Sequence, residues 1–114
     1  MRVTKIEPAW ETIPLEEGFT GTLEYRMIGK TLDLRFRNIT YSQPDSSQSR
    51  VVGTLPSALR PHTRKLGFIS ATTSLNNVIR VWVEGATINL MPGINSATTW
   101  GTSSYTGQVS FNIF

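Results

Sequence analysis

The sequence predicts an all-β domain, a sandwich or barrel of seven or eight short antiparallel strands. Two segments alternate apolar and polar residues around glycine turns, and polar turn residues recur along the whole chain. No long segment has the apolar spacing of an amphipathic helix. At 114 residues the chain is interpreted as one domain with a single core. The strand pattern alone does not separate a jelly roll from an immunoglobulin-like strand order.

Residues 1–15 are predicted to form an extended lead-in or an edge strand. Pro8 and Pro14 exclude a central position in a sheet, because proline lacks the N–H that a central strand must donate.

The hairpin of residues 21–37 is the clearest local prediction. Gly29 takes the turn position that needs a positive φ, so Ile28 faces Thr31. A slip of one residue would expose apolar side chains and bury charges, so the register is strongly specified. It predicts a core face and a wet face, with the pairs Met27–Leu32, Tyr25–Leu34 and Leu23–Phe36 on the first and Arg26–Asp33 and Glu24–Arg35 on the second.

The middle of the chain is predicted to contain a loop, two strands and a rigid crossing. Residues 41–49 have the composition of an exposed loop, and residues 50–55 form a short strand. Residues 56–61 are bracketed by prolines and have room for one helical turn at most. Residues 65–72 form a strand with apolar side chains on both sides, so its facing is undecided and it could be covered on both faces.

A second hairpin is predicted over residues 78–91, with Glu84 and Gly85 in the turn and Val83 facing Ala86. Its inner face then carries Ile79, Val81, Val83, Ala86, Ile88 and Leu90, and its outer face Val78, Arg80, Trp82, Thr87, Asn89 and Met91. A large aromatic residue on the nominally wet face suggests coverage by a neighbouring subunit or a ligand. The alternative is coverage by the chain's own segment 94–105. Residues 108–114 are predicted to close the chain as a strand, with Val109, Phe111 and Ile113 facing inward.

Composition argues against several function classes. The net charge of +3 comes from scattered basic residues, without the stripe and interleaved aromatics that nucleic-acid binding needs. The absence of cysteine removes disulfides and thiolate metal sites, and no apolar run is long enough for membrane insertion. His62 is the sole histidine, so we expect neither a metal site nor a cofactor. The acidic residues form no pair suited to glycoside hydrolysis, and we expect no enzyme activity.

A family resemblance is carried by the order of several segments. Trp10 and Gly18-Phe19 precede EYRMIGKTLDLRFRNI, GTLPSALRP at residues 53–61, two hairpin strands and a terminal VSFNIF. This order resembles the C-terminal receptor-binding head domain of tail-tip and baseplate proteins from tailed phages of Gram-positive hosts, the lactococcal siphophages above all.

The resemblance implies a jelly-roll β-sandwich head on the virion tail tip, exposed to the outside and attached to other baseplate proteins. It also implies a homotrimer that binds host cell-wall polysaccharide, with tryptophan, histidine, aspartate and arginine near a subunit boundary. Residue types of this kind, with tyrosines that could stack on a sugar, make the candidate saccharide site Tyr41, Asp45, Arg60, His62, Trp82, Trp100 and Tyr105. The candidate subunit interface is Val78, Arg80, Trp82 and Met91.

Two other functions fit the same sequence. One is a structural module that trimerises or decorates a phage tail without a ligand of its own. The other is a carbohydrate-binding module of a cell-wall enzyme. Burial of all of Tyr41, Trp100 and Tyr105, with no exposed aromatic groove elsewhere, would favour the structural module, because a sugar needs an exposed aromatic surface.

Overall fold

The computed structural model describes residues 9–43, 46, 48–61, 63–71, 78–92, 99–100 and 104–112. Within these ranges the backbone forms strands and a single 3-10 turn at Ser57–Leu59. None of the described residues forms a helix of the length and apolar character that crossing a membrane would require. The strands are β1 (Glu11–Ile13), β2 (Phe19–Ile28), β3 (Thr31–Tyr41), β4 (Arg50–Thr54), β5 (Lys65–Ala71), β6 (Val78–Glu84), β7 (Thr87–Pro92) and β8 (Tyr105–Asn112).

All neighbouring strands are antiparallel, in the order β1-β2-β3-β8-β5-β6-β7-β4. The sheet folds over on itself into a first layer, β1-β2-β3-β8, and a second layer, β5-β6-β7-β4. At one corner Ser70 and Ala71 of β5 pair with β8. At the other corner the Glu16 N–H donates to the Val52 carbonyl at 3.0 Å. The predicted all-β sandwich is confirmed.

Two glycines lie directly against side chains of the other layer. A Cβ placed on Gly107 of β8 would lie 2.7 Å from Ile69 Cγ2, and one on Gly53 of β4 would lie 2.8 Å from Ile13 Cγ2. Both distances are shorter than normal carbon contacts. A side chain at either position would therefore force the facing isoleucine to move.

The first hairpin has the predicted register at every predicted pair, from Ile28–Thr31 to Leu23–Phe36. Gly29 has φ 60°, as the turn requires. The predicted core face is also confirmed, because its apolar residues contribute to the core between the layers, the largest fully buried members of which are Trp100, Phe36, Leu23, Leu32, Leu34, Ile39, Leu55, Ile79, Ile88 and Leu90.

The second hairpin is shifted by two residues from the predicted register. Glu84 pairs with Thr87, and Val83 pairs with Ile88 instead of Ala86. The reason is that Gly85, with φ 56°, occupies the first turn position, so the turn is Gly85-Ala86 and not Glu84-Gly85. Because a two-residue shift preserves the alternation of a strand, Ile88 and the other β-strand residues keep their predicted faces. Of the residues predicted for the inner face, Ala86 alone is not on it, because it lies in the turn.

The remaining strands settle three predictions. β1 is a three-residue edge strand, as predicted for the lead-in. β5 is covered on one face only: Ile69 and Ala71 are buried, whereas Leu66 and Phe68 are exposed. β8 begins at Tyr105, three residues earlier than predicted, and its Val109 and Phe111 face inward as expected. The predicted inward residue Ile113 lies outside the described residues.

Candidate functional site

A groove of about 490 Å³ lies on the outer surface of the second layer. Its walls come from neighbouring positions on three strands: Leu66 pairs with Trp82 across β5 and β6, and Phe68 pairs with Arg80, which in turn pairs with Met91 of β7. These residues alternate with core residues and therefore all point away from the core. The lining is completed by Ser49, Arg64 and Gly67.

Large apolar side chains are unusually exposed beside this groove. Leu66 is 66% exposed and Phe68 is 57% exposed, whereas Trp82 and Met91 are half-buried. Side chains of this size usually lie mostly inside a protein. We call Leu66, Phe68, Trp82 and Met91 the outer apolar face, and a contiguous surface of this kind is typical of a binding site.

Guanidinium groups flank the outer apolar face. Arg80 Nη2 lies 2.9 Å from Met91 Sδ. Arg64 Nη2 donates to Glu84 Oε2 at 2.9 Å, and both of these side chains are 56% exposed. An exposed pair of this kind contributes little to stability, typically about 0–1 kcal/mol. Aromatic rings beside such donors can stack on a sugar ring and bind its hydroxyls.

Three residues of the candidate saccharide site meet at one end of the sandwich, but mainly inside it. Trp100 is 1% exposed and Tyr105 is 4% exposed, while Tyr41 is half-buried. The Trp100 ring packs against Phe19 and Tyr41, with ring centroids 5.5 and 5.0 Å apart. In this conformation Trp100 and Tyr105 therefore have no open ring surface for a ligand.

Hydrogen bonds hold this buried cluster in place. Trp100 Nε1 donates to the Gln48 carbonyl at 3.0 Å, and the Tyr105 hydroxyl donates to the Trp100 carbonyl at 3.0 Å. Burial raises the pKa of Tyr105 above its usual value, because the phenolate would lose hydration. The polar atoms of both rings are thus used within the domain.

Of the other candidate residues, the structure describes Trp82 and Arg60. Trp82 lies in the groove, far along the chain from exposed Arg60, which follows the 3-10 turn. Asp45 and His62 lie outside the described residues. The structure brings Arg80, Trp82 and Met91 of the candidate interface together in the groove.

Sequence reasoning missed Leu66, Phe68 and Arg64 as parts of this site. The signal was present for the two apolar residues, since they alternate with Gly67 and Ile69. A glycine that packs against Val109 of β8 identifies the inner side of β5, but this contact is not visible in the sequence. Of the segment 94–105, the alternative cover for Trp82, residues 94–98 and 101–103 lie outside the described residues, and the described Trp100 and Tyr105 belong to the buried end cluster.

The outer surface of the first layer has a different chemistry. Arg26 Nε donates to Asp33 Oδ2 at 3.0 Å, and Asp33 also accepts a bond from the Ser110 hydroxyl at 2.6 Å. Both carboxylates on this surface are buried although they point away from the core. We call this surface the ion-paired face, which comprises Glu24, Arg26, Asp33, Arg35 and Arg37.

Glu24 is held ionised by its neighbours. Burial raises the pKa of its carboxyl group, but hydrogen bonds and charge from Arg37 and Arg35 outweigh that effect. The pKa therefore lies below its usual value. Among the described residues, no group of three or more histidine, aspartate or glutamate side chains is placed to hold a metal ion.

Comparisons with known proteins identify a fold neighbour. No protein-family model matches the chain, and no curated protein matches it. Among solved structures, the chain is similar to the head domain of phage bIL170, which was solved in the context of the receptor-binding domains of lactococcal phages. The TM-score is 0.69 at 18% identity, with 95% of this chain and 100% of that chain covered. The resemblance in fold that the sequence predicted is confirmed.

Proposed function

We propose that this chain is the receptor-binding head domain of a phage adhesion device, which binds saccharides of the host envelope without cleaving them. The observation that carries the proposal is the similarity in fold, over 95% of this chain, to the head domain of a lactococcal phage. In this role the domain would lie at the outer tip of the tail and attach to other tail or baseplate proteins.

The groove is the proposed saccharide site. Trp82 and Phe68 supply ring surfaces, and Arg64 and Arg80 supply hydrogen-bond donors beside them. This combination suits a sugar ring, whose carbon-bound hydrogens form an apolar face and whose hydroxyls lie at its edge. Of the residues predicted for the saccharide site, Trp82 lines the groove. Arg60, His62, Asp45 and Tyr41 remain further candidates for ligand contact.

The proposed assembly is a homotrimer that uses the outer apolar face. Val78, Arg80, Trp82 and Met91 share this side of β6 and β7, and the exposed Leu66 and Phe68 extend it across β5. The groove would then lie at a boundary between copies. Several weak sites in one particle would raise the overall avidity without any new contact.

Binding to envelope polysaccharide tests the proposal directly. We expect the purified chain to bind at least one host wall polysaccharide on a glycan array, and Trp82→Ala to lose that binding. Ile28→Ala is the matched control, because Ile28 is 44% exposed at the far tip of the first hairpin. The absence of binding to every envelope glycan, with the chain folded, would contradict the saccharide role.

A structural module without its own ligand is the second candidate. The burial of Trp100 and Tyr105 in the core supports it in part, since two of the three rings named for this alternative are enclosed, whereas Tyr41 is half-buried. In that case the chain would form the same oligomer and bind no glycan, and Leu66→Ser with Phe68→Ser would change assembly alone.

A further inference from the structure

The ion-paired face has more positive than negative charge. Arg26, Arg35 and Arg37 face two carboxylates, Glu24 and Asp33. Arg26 and Asp33 form one neutral pair, which leaves Arg35 and Arg37 to share Glu24. Among the described members of this face, the basic groups therefore outnumber the acidic groups by one.

Both arginines approach the same oxygen atom of the Glu24 carboxylate. Arg35 approaches Glu24 Oε1 through Nε at 3.1 Å and Nη2 at 3.0 Å, and Arg37 Nη2 approaches the same Oε1 at 2.5 Å. A guanidinium group has five N–H donors in a planar fork. Most of the Arg37 donors are thus not used by Glu24.

The exposed part of this cluster is its basic part. The Arg37 side chain is 51% exposed and that of Arg35 is 30% exposed, against 12% for Glu24. Solvent therefore meets guanidinium edges, while the carboxylate lies mostly beneath the surface. An approaching anion would encounter positive potential with little opposing charge.

Trp10 positions this arrangement. Its ring lies 4.1 Å from Arg35 Cζ and 4.3 Å from Arg26 Cζ, distances typical of cation–π contacts. Exposed Gln108 of β8 is the cross-strand neighbour of Arg35 and adds an amide to the same surface. The donors are thus held before any ligand arrives, which lowers the entropic cost of binding.

From these contacts we infer that Arg35 and Arg37, positioned by Trp10 and Glu24, form a second ligand site that binds an oxyanion carried by a sugar unit. Guanidinium groups bind carboxylate and phosphate through paired, charge-assisted hydrogen bonds. The Gln108 amide is placed to bind an adjacent sugar hydroxyl. The choice of a sugar as the carrier rests on the proposed function, whereas the oxyanion site does not.

Titration calorimetry with glucuronic acid, glucose 1-phosphate, glucose and inorganic phosphate tests this inference. We expect both anionic sugars to bind and glucose to give no heat, and the ratio of their affinities distinguishes a carboxylate from a phosphate source. Arg37→Gln should weaken binding at least tenfold. Lys30→Gln, which removes the same charge at an exposed turn of the same layer, should stay within twofold of the unmodified chain.

The outcomes separate this site from the groove. Trp82→Ala should leave the binding of glucuronic acid and glucose 1-phosphate unchanged, while Arg37→Gln should leave binding of wall polysaccharide in the groove measurable. In the unmodified chain, the indole N–H signal of Trp10 should shift in NMR spectra during the titration. No binding of either anionic sugar, equal binding by Arg37→Gln, or an unmoved Trp10 signal would overturn the site. Equal affinity for inorganic phosphate and glucose 1-phosphate would overturn the sugar contact.

Discussion

On both outer surfaces of the sandwich, alternate residues of each strand point away from the core, but the two surfaces differ in chemistry: one is charged and ion-paired, and the other is apolar. On the ion-paired face of β2 and β3, Glu24 and Asp33 are buried against arginines of the neighbouring strand. On the outer apolar face of β5–β7, Leu66 and Phe68 are more than half exposed. The first surface pairs both of its carboxylates within the domain, whereas the second exposes apolar groups that favour contact with a second molecule.

The difference arises from which residues the register places opposite each other. Arg26 faces Asp33 and Glu24 faces Arg35, so opposite charges meet across the first hairpin. Leu66 faces Trp82 and Phe68 faces Arg80, so apolar groups meet without a cover in the described chain. Loss of a buried carboxylate on the first surface should therefore act on folding, and loss of an exposed apolar group on the second should act on binding and assembly.

The largest effect should be the loss of stability on removing the core tryptophan, compared with removing the tryptophan on the outer apolar face. Trp100→Ala should lower the free energy of unfolding by about 3–5 kcal/mol, because it leaves a cavity in the core. Trp82→Ala, on the half-exposed outer face, should cost about 1–2 kcal/mol. Chemical denaturation measures both. Equal losses would show that the aromatic residues do not divide between core and surface as described.

A smaller loss should follow from breaking the ion-paired face. Asp33→Ala removes the partner of Arg26 and of the Ser110 hydroxyl, so we expect a loss of about 2–4 kcal/mol in the free energy of unfolding. Glu84→Ala is the control, because its exposed pair with Arg64 should cost less than about 1 kcal/mol. A negligible loss for Asp33→Ala would show that this surface does not stabilise the domain.

Substitutions on the outer apolar face should weaken association between copies and leave the stability of the fold almost unchanged. Leu66→Ser combined with Phe68→Ser should change the free energy of unfolding by less than about 0.5 kcal/mol. Association between copies should weaken at least tenfold, or about 1.4 kcal/mol, in sedimentation equilibrium. Ile28→Ser should leave association unchanged. A particle that stays monomeric at micromolar concentration before any substitution would remove the proposed trimer.

The smallest effect concerns pH. Because the folded-state pKa of Glu24 is lowered, its contribution to stability is complete above the unfolded pKa of about 4.3 and is lost as the pH falls through the lower folded value. At neutral pH the free energy of unfolding of the native chain should exceed that of Glu24→Gln by about 1 kcal/mol. This difference should shrink as the pH falls from about 5 to below 3. A difference that is constant over this range would contradict the role of the ion pairs.

Local pattern was sufficient for much of this fold because hairpin residues contact near neighbours in the chain. Gly29 and the charge pairs specified the first register, and the alternation of β6 and β7 specified which residues face inward. The predicted turn, Glu84-Gly85, lies one residue before the observed turn, Gly85-Ala86, because the sequence allows the glycine to occupy either turn position. The faces survived this error, since strand alternation repeats every two residues.

The candidate site was less predictable because it depends on contacts between distant segments. Trp82 was identified from its outward position, but the exposure of Leu66 and Phe68 depends on the packing of Gly67 against Val109. Trp100 is buried by Phe19 and Tyr41, which lie about 60 to 80 residues away in the chain. Residue type alone does not distinguish an aromatic ring in a core from one in a groove.

By itself, the amino-acid order determined that this protein is an antiparallel β domain with two well-defined hairpins, since alternation and turn residues act over a few neighbouring positions. Only the tertiary structure decided that Leu66 and Phe68 extend the outer apolar face, that Glu24 and Asp33 are buried, and that Trp100 lies in the core while Trp82 lines the groove. The physical reason is that the exposure of a side chain depends on how the two layers pack against each other. The contacts between layers join residues that are distant in the chain, so the local sequence pattern does not specify them.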